Sequence, residues 1–327
     1  MIEQPHWVRP AQVEEHDGHP ARPGAAELGP PADPDHTRFN YGGQAVVEGV
    51  MMRGVRCMAV AVRDPAGEIV VRTEPLNTAL YRGPMSRLPL LRGLTLLWDA
   101  LGLGMKALMW SADVAVGESS DAFQGTLGWA TGLVGLAVGV GLFMALPSLL
   151  VNLLPVPLSP LLDNLLEGLV RLGLVVAYIW AVGRMPDVAR VFAYHGAEHK
   201  TINAYECGVT LTVEAVQAHS TAHARCGTAF LLTVVVVSIL VLAPLGQPSL
   251  LWRVISRVLA LPLIAGLAYE WIRLSGRYAD RRWMRVLAAP SMALQRLTTR
   301  EPEDGMVEVA IRALEAVLEG EQADLDS

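Results

Sequence analysis

The sequence predicts a mainly α-helical, polytopic membrane protein: about four transmembrane helices, a small N-terminal β-hairpin region and interfacial amphipathic helices. Three observations carry this. Hydrophobic residues make up 52% of the chain and charged residues only 18%. The mean hydropathy of +0.35 is too high for an ordinary soluble domain. No charged residue lies between Asp121 and Asp163. The net charge of -6, with the cations dispersed, argues against nucleic acid as a partner. The three cysteines, Cys57, Cys207 and Cys226, make no disulfide framework and fit a reducing cytosol.

Residues 1–36 are rich in Pro, Gly and acid, lack apolar periodicity, and are expected to form a disordered tail without a signal-peptide core. Residues 37–85 read as a small cytoplasmic β-rich region. Within it "RCMAVAVRDPAGEIVVRTEP" is a hairpin signal around Asp64–Gly67. The preceding "YGGQAVVEGVMMRG" matches neither a phosphate loop nor a dinucleotide fingerprint. Residues 86–120 predict an interfacial helix, its apolar run broken by Arg92, Asp99 and Lys106.

The membrane domain is expected over 121–275. Its first span, "GTLGWATGLVGLAVGVGLFMALPSLLVNLL", exceeds the ~20 residues that cross a bilayer. Gly128, Gly132, Gly135 and Gly139 give it a small-residue face for close packing, within the chain or in a homo-oligomer. In the second, "LLEGLVRLGLVVAYIWAVGR", Glu167 and Arg171 lie four apart and can pair. "TAFLLTVVVVSILVLAPLG" is the clearest span. "RVLALPLIAGLAYEWIRLSG" is the weakest: Arg253 and Arg257 must snorkel, and Glu270 must lie near an end or pair with Arg273. Three spans are the fallback. Residues 276–327 read as cytoplasmic C-terminal helices.

Arginines and Lys200 concentrate in the connector between spans two and three and after span four. The positive-inside rule then places both termini and that connector in the cytoplasm, in a multi-pass protein of the bacterial inner membrane. Arg253 and Arg257 would lie outside, against the trend.

The connector, 184–226, holds the candidate chemistry. Pro186-Asp187 opens and Gly208 closes a predicted helix. On it His195, Glu198 and His199 project from one face, an HxxEH motif. Two imidazoles one turn apart can hold one divalent ion, zinc by preference, while the adjacent carboxylate takes a proton as general base. Asn203 and Glu206 continue along that face. Thr212 is a candidate N-cap for a second helix carrying His219 and His223, with Cys226 beyond. Two antiparallel helices would then face each other with a His pair each. The plainer reading is a polar connector whose histidines cap helices or bond carbonyls. Likewise Cys226 would be an inert buried thiol, and Lys200 a lipid-facing or ion-paired cation.

"YGGQAVVEGVMMRG", "YHGAEHKTINAYE", "HARCGTAFLL", "LPLIAGLAYEWIRL" and "LQRLTTREPEDGMVEVAI" together resemble the bacterial membrane family typified by YqhQ, from about Phe39 to Leu318. That family is of unknown function and is described as predicted metal-dependent enzymes. The resemblance implies functional positions at His195, Glu198, His199, Glu206, His223 and Cys226, and also at Gln44, Glu48, Arg53 and Glu270. This chain has Ala224 where the family pattern has proline. His219 stands at a position that varies in the family, so His223 and Cys226 are the firmer partners. Glu48 would complete the ion's shell or orient a histidine, or else pair with Arg53 or Arg56.

The expected function is therefore that of a metal-dependent membrane enzyme, a hydrolase acting on a lipid-linked or membrane-protein substrate at the cytoplasmic face. Glu198 would be catalytic, and His195, His199, His223 and Cys226 would be ligands. Glu48, Glu206, His219 and Glu270 are further candidates. The alternatives are a non-catalytic scaffold or assembly factor, with or without a structural metal, and a carrier working through Glu270.

Overall fold

The computed structural model describes residues 41–76, 90–117, 126–154, 159–223, 226–242, 249–278 and 281–323. The tail expected over 1–36 lies outside them. Four strands come first: β1 (Gly42–Val46), β2 (Gly49–Arg53), β3 (Cys57–Arg63) and β4 (Ile69–Pro75). The helices follow as α1 (Leu91–Val116), α2 (Thr126–Val140), a π-helical turn (Gly141–Ala145), α3 (Leu146–Asn152), α4 (Pro160–Val182) and α5 (Pro186–Glu206). The remaining helices are α6 (Val213–Gln217), α7 (Gly227–Leu242), α8 (Leu250–Arg277), α9 (Arg282–Thr298) and α10 (Asp304–Ala323).

The strands form an antiparallel meander, β1-β2-β3-β4. Its two faces follow from the period-2 alternation of side chains. Cys57, Ala59 and Ala61 of β3 join Val50 and Met52 of β2 on one face, beneath α5 and α10. Met58, Val60 and Val62 point to the other face, where Ala107 and Trp110 of α1 cover them. Both faces are buried, so β3 reads as a continuous apolar run rather than an alternating one. Each fully buried valine contributes about 1.5–3 kcal/mol of transfer free energy. The expected hairpin joins β3 to β4: the Glu68 amide donates to the Asp64 side chain at 2.9 Å, and Gly67 takes φ 91°. The helix "MVEVAIRALEAVL" is the centre of this head rather than a peripheral addition, with Val307, Val309, Ala310 and Leu314 fully buried.

Among the described residues, three stretches are long and apolar enough to cross a membrane: Ala130–Asn152, Pro160–Val182 and Ile255–Ser275. Phe230–Leu242 is a shorter apolar helix. The end of the segment expected to be the clearest span, residues 243–246, lies outside the described residues, within which α7 has 16 residues. The segment expected to be the weakest lies in the 28-residue α8. Its Arg257 does not snorkel. It is 1% exposed and donates from Nη2 to Glu167 Oε2 at 3.0 Å and to Asn164 Oδ1 at 2.9 Å. The expected Glu167–Arg171 pair forms at 2.8 Å, and Arg171 also donates to the Phe143 carbonyl at 2.9 Å and the Ser238 hydroxyl at 3.1 Å. One polar network therefore ties the π-turn, α4, α7 and α8 together, where an unpaired charge would be expensive.

Two close approaches join head and membrane part. A Cβ on Gly93 would stand 2.8 Å from that of Tyr269, and one on Gly266 would stand 3.1 Å from the Leu90 carbonyl. Glu270 Oε1 lies 3.4 Å from the Leu90 amide nitrogen at the start of α1, where a helix N-terminus favours a carboxylate. Within the chain, the small-residue face of the first span packs at one described position. A Cβ on Gly132 would touch Met105, but those on Gly135 and Gly139 would meet nothing within 4 Å among the described residues.

Candidate metal centre

α5 forms as expected: Pro186 in its first turn, Asp187 beside the amide-rich N-terminus, and Gly208 at φ 72° after its end. The Gly208 and Val209 amides donate to the Tyr205 and Ala204 carbonyls at 3.0 and 3.1 Å and close the last turn. Within α5 the HxxEH face turns inward. His199 is 1% and Glu198 4% exposed, and His195 is partly buried.

The second helix differs from expectation. Thr212 caps it through a 3.3 Å bond from the Ala215 amide, but α6 ends at Gln217, before both histidines. The carbonyls needed to continue it are captured by side chains, which compete with helical bonding. His219 Nδ1 bonds the Ala215 carbonyl at 2.9 Å. Lys200 donates to the Gln217 carbonyl at 2.7 Å, and Asn203 donates to those of Ser220 and Ala222 at 2.8 and 3.1 Å. His199 Nδ1 bonds the Thr221 carbonyl at 2.6 Å. Gln295 of α9, 1% exposed, clasps His223 from both sides: its Oε1 accepts from the His223 amide at 3.2 Å, and its Nε2 donates to the His223 carbonyl at 2.8 Å. His223 and Cys226 are therefore presented by an anchored loop, not by a facing helix.

The cluster's geometry follows. His195, His199 and Cys226 each offer one ligand atom, all within 4.8 Å of one another. His195 Nε2 is 3.2 Å from Cys226 Sγ. His195 Nδ1 bonds the Thr298 carbonyl at 2.9 Å, as His199 Nδ1 bonds that of Thr221. A carbonyl only accepts, so each imidazole keeps its proton on Nδ1 and presents the Nε2 lone pair. Such carbonyl partners orient histidine ligands in metal sites. Two imidazole nitrogens and a thiol sulfur fit zinc, with a fourth position left over.

Glu198 lies against the sheet. Its Oε2 is 3.4 Å from His199 Nε2. Burial pushes its carboxyl above the usual range, opposed by His195, His223 and the Gly43 amide. Gly43 has to be glycine for this fit: a Cβ there would stand 2.6 Å from the Met51 carbonyl and 2.8 Å from Glu198 Cγ.

The other candidates separate into neighbours and outliers. The His223 ring is 5.6 Å from that of His199, and its Nε2 is 3.6 Å from Glu206 Oε2, so these two flank the cluster. Glu48 turns to Arg190, accepting bonds at 2.7 and 2.5 Å, rather than to Arg53 or Arg56. The Tyr194 hydroxyl lies 3.4 Å from the Glu48 carboxylate. Hydrogen bonds from Arg190 hold the Glu48 carboxyl below its ordinary value. The side chain of Gln44 meets Gly104 of α1, and Glu270 belongs to the junction of α1 and α8. His219 bonds back to its own turn, and Lys200 is ion-paired with Glu301 at 2.6 Å. Sequence reasoning did not assign Gly43, Gln295 or Thr298 to the site, although the Gly-rich stretch that holds Gly43 is open to a close approach. Gln295 left a trace as a polar residue on the buried face of α9.

Fold and site together define a class: a polytopic membrane protein whose polar head encloses a candidate His–His–Cys centre beside a buried glutamate. The chain belongs to the family described as "Protein of unknown function (DUF1385)", which matches residues 88–320. It is 34% identical over 292 residues to "Uncharacterized protein YqhQ" of Bacillus subtilis (strain 168), covering 85% of this chain and 92% of that protein. No solved structure matches it.

Proposed function

We propose that this protein is a metal-dependent enzyme, a hydrolase, working at the cytoplasmic face of the inner membrane. One observation carries the reading: two imidazoles, each oriented by a backbone carbonyl, converge with a thiol beside a buried carboxylate. A divalent ion, zinc by donor type, would supply Lewis acidity there. His195, His199 and Cys226 would hold it, with His223 and Glu206 alongside. The Thr298 and Thr221 carbonyls fix the ring tautomers. Glu198, shielded from water by β1, would take up and return a proton. The arginine-rich flanks support a cytoplasmic head and cytoplasmic termini in a four-pass chain.

The burial of His199 and Glu198 also favours a second reading, a structural metal in a non-catalytic scaffold. Metal content separates these. The purified protein is expected to hold about one ion per chain and His199→Ala none. Glu198→Gln is expected to keep the ion and lose cellular function. A metal-free wild type after chelator-free purification would remove the metal, and a functional Glu198→Gln protein would remove the base.

A further inference from the structure

A second site lies where the membrane part meets the head, at the end of α4. A cleft of about 380 Å³ opens there between α4 and the end of α9. Arg184, Arg296 and Arg300 line it, and no acidic residue is among the lining residues. Ile179, Trp180 and Leu297 supply its apolar wall. Two of the three arginines are held by contacts with α4 and the residue after it, and Arg296 is exposed. The Arg184 guanidinium stacks over the Trp180 ring, 3.2 Å from its centroid, and donates to the Trp180 carbonyl at 3.1 Å. Arg300 donates to the Gly183 carbonyl. The neighbouring acid, Glu301, is engaged by Lys200.

Three guanidiniums without a carboxylate in the cleft make an anion site, and their planar forks suit the oxygens of a phosphate. Depth identifies the source of that phosphate. α4 is one of the three membrane-crossing stretches, and Trp180 sits in its last turn, 54% exposed. Tryptophan at the end of a span marks headgroup level, and basic pockets there receive anionic headgroups. An acyl chain would run along the exposed apolar surface of α4, past Leu165 and Leu169.

We propose that this cleft binds the phosphate headgroup of an anionic membrane lipid. The site also touches the candidate metal centre. Thr298, next to Leu297, accepts the bond from His195 Nδ1, and the Arg300 amide donates to the Phe192 carbonyl at 2.9 Å. The backbone of 297–300 is thus common to cleft and centre, so a lipid held here lies beside the cluster. Lipid binding itself stands or falls independently of the metal.

The test is native mass spectrometry of the full chain in detergent, titrated with phosphatidylglycerol and with phosphatidylcholine. The wild type should retain phosphatidylglycerol preferentially, and Arg184→Gln and Arg296→Gln should each lower that preference about fivefold. Arg184→Lys/Arg296→Lys should keep most of it, and Arg282→Gln, outside the cleft, should leave it unchanged. If Arg184→Gln does not fold, the exposed Arg296→Gln change alone decides. No preference in the wild type, or an equal loss in Arg282→Gln, overturns the site. Displacement by millimolar inorganic phosphate as effective as by lipid would assign the cleft to a soluble anion instead.

Discussion

Gly43 seats Glu198 by lacking a side chain, and Glu48 ties the turn between β1 and β2 to α5 through Arg190. Adding one methyl at Gly43 drives a Cβ into the Met51 carbonyl and Glu198 Cγ. Gly43→Ala should therefore destabilise the head by about 1–3 kcal/mol, as overpacking does, and lower the metal occupancy proposed for it. An unchanged unfolding temperature would contradict that packing. Glu48 holds φ 49°, uncommon for a residue with a side chain, and its carboxylate is bonded by Arg190. Its pKa is depressed in the folded state from the ordinary 4.5. The pair thus contributes stability above that value and loses it as pH falls through the lower, folded pKa. Glu48→Gln should melt below the wild type at neutral pH, and the gap should close in acid. A gap that does not narrow as the pH is lowered below the ordinary 4.5, or that widens, would show that the ionised pair is not the source.

At the scale of elements, the network of Glu167, Arg171 and Arg257 holds the spans in register. Glu167→Gln leaves two guanidiniums facing a neutral amide at 2% exposure. Removing one partner of a buried pair costs about 3–5 kcal/mol, and the variant should unfold in detergent well below the wild type. If it melts with the wild type, the network does not hold α4 to α8. These elements also mark how far the sequence could be read. Composition and periodicity gave α5 its bounds, face and stop, because its signals are local: Pro186, the HxxEH spacing and Gly208. The fate of α6 was not legible. Its end depends on Lys200, Asn203 and His199, contributed by a different helix, taking carbonyls that helical bonding would otherwise use. In the same way, Arg257 reads as a snorkelling residue until Glu167 and Asn164 stand beside it.

For the whole molecule, orientation is the property that function needs and that flanking charge predicts. Cys207 is exposed while Cys57 and Cys226 are buried, so one thiol reports the side on which the head lies. A membrane-impermeant maleimide should label inverted vesicles and not intact cells. Labelling of intact cells would place the head outside and remove the cytoplasmic reading.

By itself the sequence determined that the protein enters a membrane, that a β-hairpin precedes its helices, and that His195, Glu198 and His199 share one helical face. Each of these rests on hydropathy or on spacing within a single element, where geometry is set by the period of the backbone. Tertiary structure alone decided that Cys226 meets His195, that β1 seals Glu198 through Gly43, and that α9 supplies Gln295 and the Thr298 carbonyl. Those contacts join residues far apart in the chain, and their partners are largely backbone atoms. Every residue carries the same carbonyl and amide, so no residue type announces them; only the packing of one element on another selects which are used.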